Sequence, residues 1–236
     1  MTVNVLTIVQ ARTTSTRLPG KVLKKILGKP MLELQLERMC RAECSDELIV
    51  ATSDRASDDE IAHLCASLNI GCFRGNLEDV LDRYHRAAAH YKARHIVRMT
   101  ADCPMAEPQV MDAAITLHLD EKNDYTCADA DSGWPKGLDV EVIRRETLET
   151  AWREAGTPQE REHVTPFVRC HPERFRLGKL AAPADHSSQR WTVDTPEDFS
   201  LAAEVYEALY PGNPQFSIGD ILQLLRQRPN LAGINQ

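Results

Sequence analysis

VNVLTIVQARTTSTRLPGK, residues 3–21, changes character at Gln10. Val3–Val9 is a short apolar run with β-branched residues, which predicts a buried strand. Residues 10–21 then carry Arg12, Arg17 and Lys21, the hydroxyls of Thr13, Thr14, Ser15 and Thr16, and a Pro19–Gly20 turn. A buried strand that empties into a cationic loop is the arrangement of an α/β sheet with an anion site beyond its carboxyl edge. The alternation continues outward from there. Glu47–Thr52 (ELIVAT), Ile70–Phe73 and His95–Met99 (HIVRM) read as further strands. Between them, residues 31–42 carry Met31, Leu32, Leu34, Leu36, Met39 and Cys40 and read as a helix. Ser57 and Glu60 form a capping box ahead of Ile61, Leu64, Cys65 and Leu68, and Leu77–Tyr91 is another helix. This is an α/β fold with a mainly parallel sheet covered on both faces.

The second half is less regular. Residues 128–137 (ADADSGWPKG) are a turn-rich loop, and Leu138–Ile143 reads as a strand. Residues 145–155, 159–169 and 217–227 read as helices, and Arg190–Val193 as a strand. Thr195 and Pro196 supply an N-cap and first helical position. Residues from about 125 to about 175 are expected to hold an excursion from the main sheet, read as an arm for dimerisation or acceptor binding.

The chain has 236 residues, 42% of them hydrophobic. At about 100–200 residues per domain, 1–236 is read as a single domain. Its 28 Lys and Arg against 35 Asp and Glu leave a net charge of −7. The overall basic footprint of a nucleic-acid binder is therefore absent, and any anion site is a local cluster. No apolar run approaches the ~18–20 residues of a membrane span, and no signal peptide opens the chain. A cytoplasmic protein with no membrane and no nucleic-acid partner is expected. The seven cysteines form no CxxC pair and read as reduced core residues. His63, His85, His90 and His118 fall in helical stretches without metal-ligand spacing. Trp134 reads either as a cover for a sugar or as an interface contact, and Trp191 as core.

Three stretches carry chemistry. Arg12, Arg17 and Lys21 suit a phosphate cradle, two offering forked donors and one a point charge. The Walker A and GxGxxG patterns are missing. Asp102 follows a strand in a turn stiffened by Pro104, and Asp194 follows RWTV just before a helix. Either is a turn residue or a ligand for Mg²⁺, which takes one or two protein carboxylates beside substrate phosphates. Asp139 and Glu141 stand two apart and share a strand face, as metal ligands, as partners of substrate hydroxyls or as a polar strand face.

QARTTSTRLPGK, with Gly28-Lys29-Pro30 after it, resembles the N-terminal signature of the sugar-activating cytidylyltransferases. Thr16 stands where that signature has Ser. More narrowly, the chain resembles the SpsF-like (spore coat polysaccharide) branch, related to the enzymes that activate octulosonic and sialic acids. The stretches ATSD (51–54), FRGNLEDVLDRY (73–84), VRMTADCP (97–104), GLDVEV (137–142), REHVTPF (161–167) and WTVDTPEDF (191–199) carry the likeness in order. The resemblance implies a glycosyltransferase-A-like three-layer fold, a homodimer, CTP as donor, and a sugar or acidic sugar as acceptor. It implies a Mg²⁺ cofactor on Asp102 and Asp194. It places Arg12, Arg17 and Lys21 on the triphosphate as catalytic cations. It places Val9, Gln10 and Ala11 beside the base, and Gly75, Asp79, Val80 and Leu81 along the nucleotide edge. Arg161, Glu162 and His163, with Asp139 and Glu141, make the acceptor set. Glu141, His163, or Asp102 through bound water are the candidate bases. Lys21 is expected to be an exposed loop cation. A glycosyltransferase on the same fold, or a nucleotide-binding subunit without catalysis, are the alternatives.

Overall fold

The computed structural model describes residues 3–235. In chain order it forms β1 (Val5–Gln10), β2 (Lys25–Ile26), β3 (Lys29–Pro30), α1 (Met31–Met39), β4 (Glu47–Ser53), α2 (Asp59–Ser67), β5 (Gly71–Gly75), α3 (Val80–His90), β6 (His95–Thr100) and α4 (Pro108–Asp120). There follow β7 (Tyr125–Ala128), β8 (Val140–Arg144), α5 (Arg145–Glu154), α6 (Pro158–His163), α7 (Pro166–Arg169), β9 (Leu177–Lys179), α8 (Pro196–Leu209), α9 (Ile218–Gln227) and α10 (Pro229–Ala232). The seven-stranded sheet has the order β5-β4-β1-β6-β8-β7-β9. β1 pairs in parallel with both β4 and β6, and β8 runs antiparallel to β6 and β7.

From β1 the chain builds outward through β4 and β5, then returns to lay β6 on β1's other side. The strand order reverses between β1 and β6, so a crevice opens beyond their carboxyl ends. The cationic loop leaves β1 there, and the TADCP turn leaves β6 there. β1 explains why this centre holds. Leu6 and Ile8 face one core with α3, α5 and α7, while Val5 and Val9 face the other with α1, α4, α8 and α9. All four side chains are at most 2% exposed.

Four expectations change. Residues 125–128 and 140–144 belong to the sheet: β7 is buried at every position and pairs with β8 and β9. The loop 129–139 and the helices of 145–169 stand off it, the helices packed into the core on one face. Arg190–Val193 is not a strand. Arg190 makes a single bridge to Lys136, and the backbone N–H groups of Trp191 and Val193 donate to the carbonyls of Lys136 and Asp102. Ser57 does not cap α2, because a 3₁₀ turn at Ala56–Asp58 intervenes. The helix expected over 159–169 breaks at Val164, whose φ is 71°. A β-branched residue there is strained, and its burial together with the turn holds His163 and Thr165 on the crevice side. The N-caps at Thr195 and Ser217 form as capping boxes.

No described helix is long and apolar enough to cross a membrane.

Candidate active site

Two cavities share the crevice. The first, about 410 Å³, is lined by the cationic loop, Gln10, Val80, Arg83 and Glu162. The second, about 340 Å³, is lined by Asp129, Lys136, Asp139, Glu141, Thr165 and Arg169. Arg98, Thr100, Asp102, His163 and Asp194 line both.

Lys21 organises the junction. Gly20 turns the chain with φ 67°, and the buried Ala11, Leu18 and Val22 pin the loop to the core. The Lys21 stem is drawn in with them, so the residue is 8% exposed rather than the solvated cation expected from its loop setting. Its Nζ donates to Val193 O at 2.7 Å, Asp102 Oδ2 at 3.1 Å and Asp194 Oδ1 at 3.0 Å. Arg17 is mostly exposed and reaches Asp194 Oδ1 at 3.1 Å. Arg12 pairs with Glu162 at 3.2 Å, tying the loop to α6. Asp58, fully buried, accepts from the Thr13 N–H and hydroxyl at 2.8 and 2.7 Å. Its carboxyl lies below the ordinary range: burial raises it, but the Ser53 and Thr13 donors outweigh that.

Asp194 is positioned from behind. Arg190 donates to its Oδ2 at 2.9 Å and grips Asp198, which caps the start of α8 through the Asp194 and Thr195 N–H groups. Burial would raise the Asp194 carboxyl, yet Lys21, Arg190 and Arg17 keep it low. Asp198 is likewise raised by burial, but Arg190, Asn235 and the two N–H groups bring it down to about 2. An unfolded Asp titrates near ~3.9. A depressed folded value means the stabilisation is complete above that pH and is lost as pH falls from about 4 towards 2. Asp198→Asn should therefore flatten the acid limb of stability in that window. Thermal melts with an unchanged acid limb would refute this.

The donor set fits a hard divalent ion. Asp102 and Asp194, carboxylates from different turns, converge on the Lys21 ammonium beside the first cavity, and a hard divalent ion takes one or two such protein carboxylates beside substrate phosphates. Among the described residues no group of three or more His, Cys, Asp or Glu is arranged to hold a metal. Such an ion would need further oxygens from a bound phosphate.

The remaining sequence candidates separate. Val9 and Leu81 are fully buried and offer only backbone. Gly75 lies against Arg83, where a Cβ would meet Arg83 Cγ at 3.3 Å. Asp79 caps α3 and holds Arg161 through Nε at 3.0 Å and Nη2 at 2.5 Å. That pair ties α3 to α6 and lines neither cavity. Ala11, Val80, Glu162 and His163 do line the site. Asp139 accepts the Gly137 N–H at 2.8 Å, and burial pushes its carboxyl up. Trp134 is 9% exposed with its Nε1 on the Leu180 carbonyl at 2.8 Å, so it is a packing residue.

Residue reasoning missed Arg83, Arg98 and Arg190. Arg98 had left a signal, a charge inside the apolar run HIVRM, since buried charges are rare without partners. Arg83 is 1% exposed and Gln10 Oε1 has no partner among the described residues.

Comparison with known proteins identifies the family of the chain. The sequence model of a family described as Cytidylyltransferase matches residues 6–218. The spore coat polysaccharide biosynthesis protein SpsF of Bacillus subtilis is 33% identical over 236 residues, with 97% of each chain covered. The solved structure of a cytidylyltransferase from Leptospira borgpetersenii superposes with a TM-score of 0.94 at 28% identity, covering 99% of this chain and 98% of that one. CMP:2-keto-3-deoxy-manno-octonic acid synthetase complexed with CTP superposes at TM-score 0.67 and 17% identity, over 87% of this chain and 99% of that one, a likeness of fold.

Proposed function

The chain belongs to the cytidylyltransferase family, and from that premise we propose that it transfers the cytidylyl group of CTP to an oxygen of a sugar or acidic sugar, releasing pyrophosphate for glycan assembly. One observation carries the reading. A buried lysine at the end of a cationic loop sits between two aspartates at the strand-order reversal, where one cavity meets the other.

The triphosphate occupies the first cavity. Arg12, Arg17 and Lys21 face its β- and γ-phosphates and stabilise the departing pyrophosphate. Phosphoryl-type transfer asks for positioning and neutralised charge more than for covalent help. The acceptor enters through the second cavity. Its oxygen bonds to the α-phosphorus as the bond from that phosphorus to the bridging oxygen breaks, and pyrophosphate leaves with the electron pair. His163 lines both cavities and is placed to take the proton of an acceptor hydroxyl. Asp102 and Asp194 are the residues that would hold Mg²⁺. When bound, that ion neutralises phosphate charge and lowers the pKa of an attacking hydroxyl.

The test is thermal-shift titration with the four ribonucleoside triphosphates and Mg²⁺. A ligand at about 100 times its dissociation constant adds about 2.7 kcal/mol. CTP is expected to give the largest shift, and pyrophosphate release with a panel of acidic sugars then finds the acceptor. No shift with any triphosphate would favour a glycosyltransferase on the same fold.

A further inference from the structure

Arg98 and Glu141 stand directly opposite each other on the antiparallel pair β6 and β8. Glu141 has its oxygens taken. Oε2 accepts from Arg98 Nη1, and Oε1 accepts from the Tyr125 hydroxyl at 2.5 Å and the Thr165 hydroxyl at 2.6 Å. Burial alone would raise this carboxyl, but Arg98, Thr165 and Tyr125 hold it below the ordinary range. Glu141 therefore favours its anionic form, and Arg98, Tyr125 and Thr165 already take three of its roughly four acceptor positions, which weighs against it as the base for an acceptor proton.

The guanidinium is the reverse case. Of its five N–H donors, one nitrogen is engaged by Glu141. Nε is buried without a partner, and Nη2 makes no hydrogen bond among the described residues. An arginine kept only for a structural ion pair tends to use its fork on both carboxylate oxygens. Here the second oxygen is given to Tyr125 and Thr165, and the remaining donors are left over. Arg98 itself lines both cavities, with Asp102, Asp194 and His163 on the same wall.

We propose that Arg98 is a catalytic residue that holds the α-phosphoryl group during transfer, with Glu141 as its positioning partner. This rests on the cytidylyl-transfer reading. The junction is where the triphosphate cavity and the acceptor cavity share a wall, which assigns the α-phosphorus to it. As the acceptor oxygen adds and the bridging oxygen leaves with its electron pair, negative charge grows on the non-bridging α-oxygens. A buried guanidinium, oriented beforehand by Glu141, Tyr125 and Thr165, meets that charge without reorganising. The proton balance is unchanged: Arg98 only donates hydrogen bonds.

The experiment is calorimetric titration of CMP, cytidine and pyrophosphate into the wild-type protein, Arg98→Lys, and the double variant Arg98→Gln/Glu141→Gln. Lysine keeps the charge and loses the planar fork. The double variant removes both charges, so no bare carboxylate is left buried. CMP affinity is expected to fall at least about tenfold in each variant, with cytidine and pyrophosphate binding unchanged. CMP binding equal to wild type overturns the proposal. So does an equal loss for all three ligands, which is the mark of a merely structural ion pair. If the double variant does not fold, Arg98→Lys decides between the same outcomes. Wild-type protein that binds neither CMP nor pyrophosphate refutes the transfer reading itself, before Arg98 is changed.

Discussion

Lys21→Met is expected to lower pyrophosphate release by about 10²–10³-fold and to destabilise the protein at neutral pH. Both effects come from one place. The ammonium donates to two carboxylates and a carbonyl, and the residue is 8% exposed. Methionine fills the stem's volume, so the packing of Ala11, Leu18 and Val22 survives. What is lost is the charge that keeps Asp102 and Asp194 together. Hydrogen bonds to charged groups contribute about 1.5–3 kcal/mol each when buried, and partial exposure of Asp102 puts the expected loss at the low end of that range. The deficit has a pH signature. Lys21 is the chief group lowering the Asp194 carboxyl. A carboxyl depressed in the folded state stabilises above its unfolded value and loses that contribution as pH falls through the folded one. The gap between wild type and variant should therefore be widest near neutrality and close below about pH 4. Added Mg²⁺ should raise the variant's melting temperature more than the wild type's, because the ion meets no competing ammonium. Melts at two pH values with and without Mg²⁺, beside a turnover assay, read all of this. Near-normal turnover in folded Lys21→Met would take the residue out of the mechanism.

The burial of Lys21 also shows where reading the sequence stops. β1, β4 and β6 are legible because they lie in the middle of the sheet, covered on both faces, and read as largely apolar runs. The loop after β1 and the aspartates after β6 and before α8 stand out in the sequence by residue type, and the fold brings Lys21, Asp102 and Asp194 within hydrogen-bond distance. The depth of Lys21 is not legible, since it depends on Leu18 and Val22 packing under a loop whose composition looks solvated. RWTV has the residues of a strand, yet its N–H groups go one by one to Lys136 and Asp102. Nothing in REHVTPF announces the positive φ of Val164, next to a Thr165 whose hydroxyl is held by Glu141 of β8. Arg161 and Asp79 look like ligand-binding charges until the fold brings them together as a tie between α3 and α6. Pairing across distant segments decides all four, and no local pattern encodes it.

Asp102→Asn should leave the fold nearly intact and lose roughly a thousandfold in turnover. The fold tolerates the change because the turn is held by backbone: Val193 N–H donates to Asp102 O at 2.7 Å, and Pro104 O accepts from the Tyr206 hydroxyl at 2.6 Å. An asparagine oxygen can still accept from Lys21. Asp194 is the less informative position, because Arg17, Lys21 and Arg190 all grip it and its loss would disturb the loop as well as the chemistry. Asp102 separates the two. With one carboxylate neutral, the pair keeps half its charge for a divalent ion that already relies on the substrate for its other ligands. CTP affinity in the wild type should therefore rise with Mg²⁺, and in Asp102→Asn that dependence should largely disappear while CTP binding without the metal stays the same. Calorimetry with and without Mg²⁺ measures it directly. If Asp102→Asn turns over normally at ordinary magnesium, Asp102 is a turn residue, and a single carboxylate, Asp194, has to account for any metal the enzyme uses.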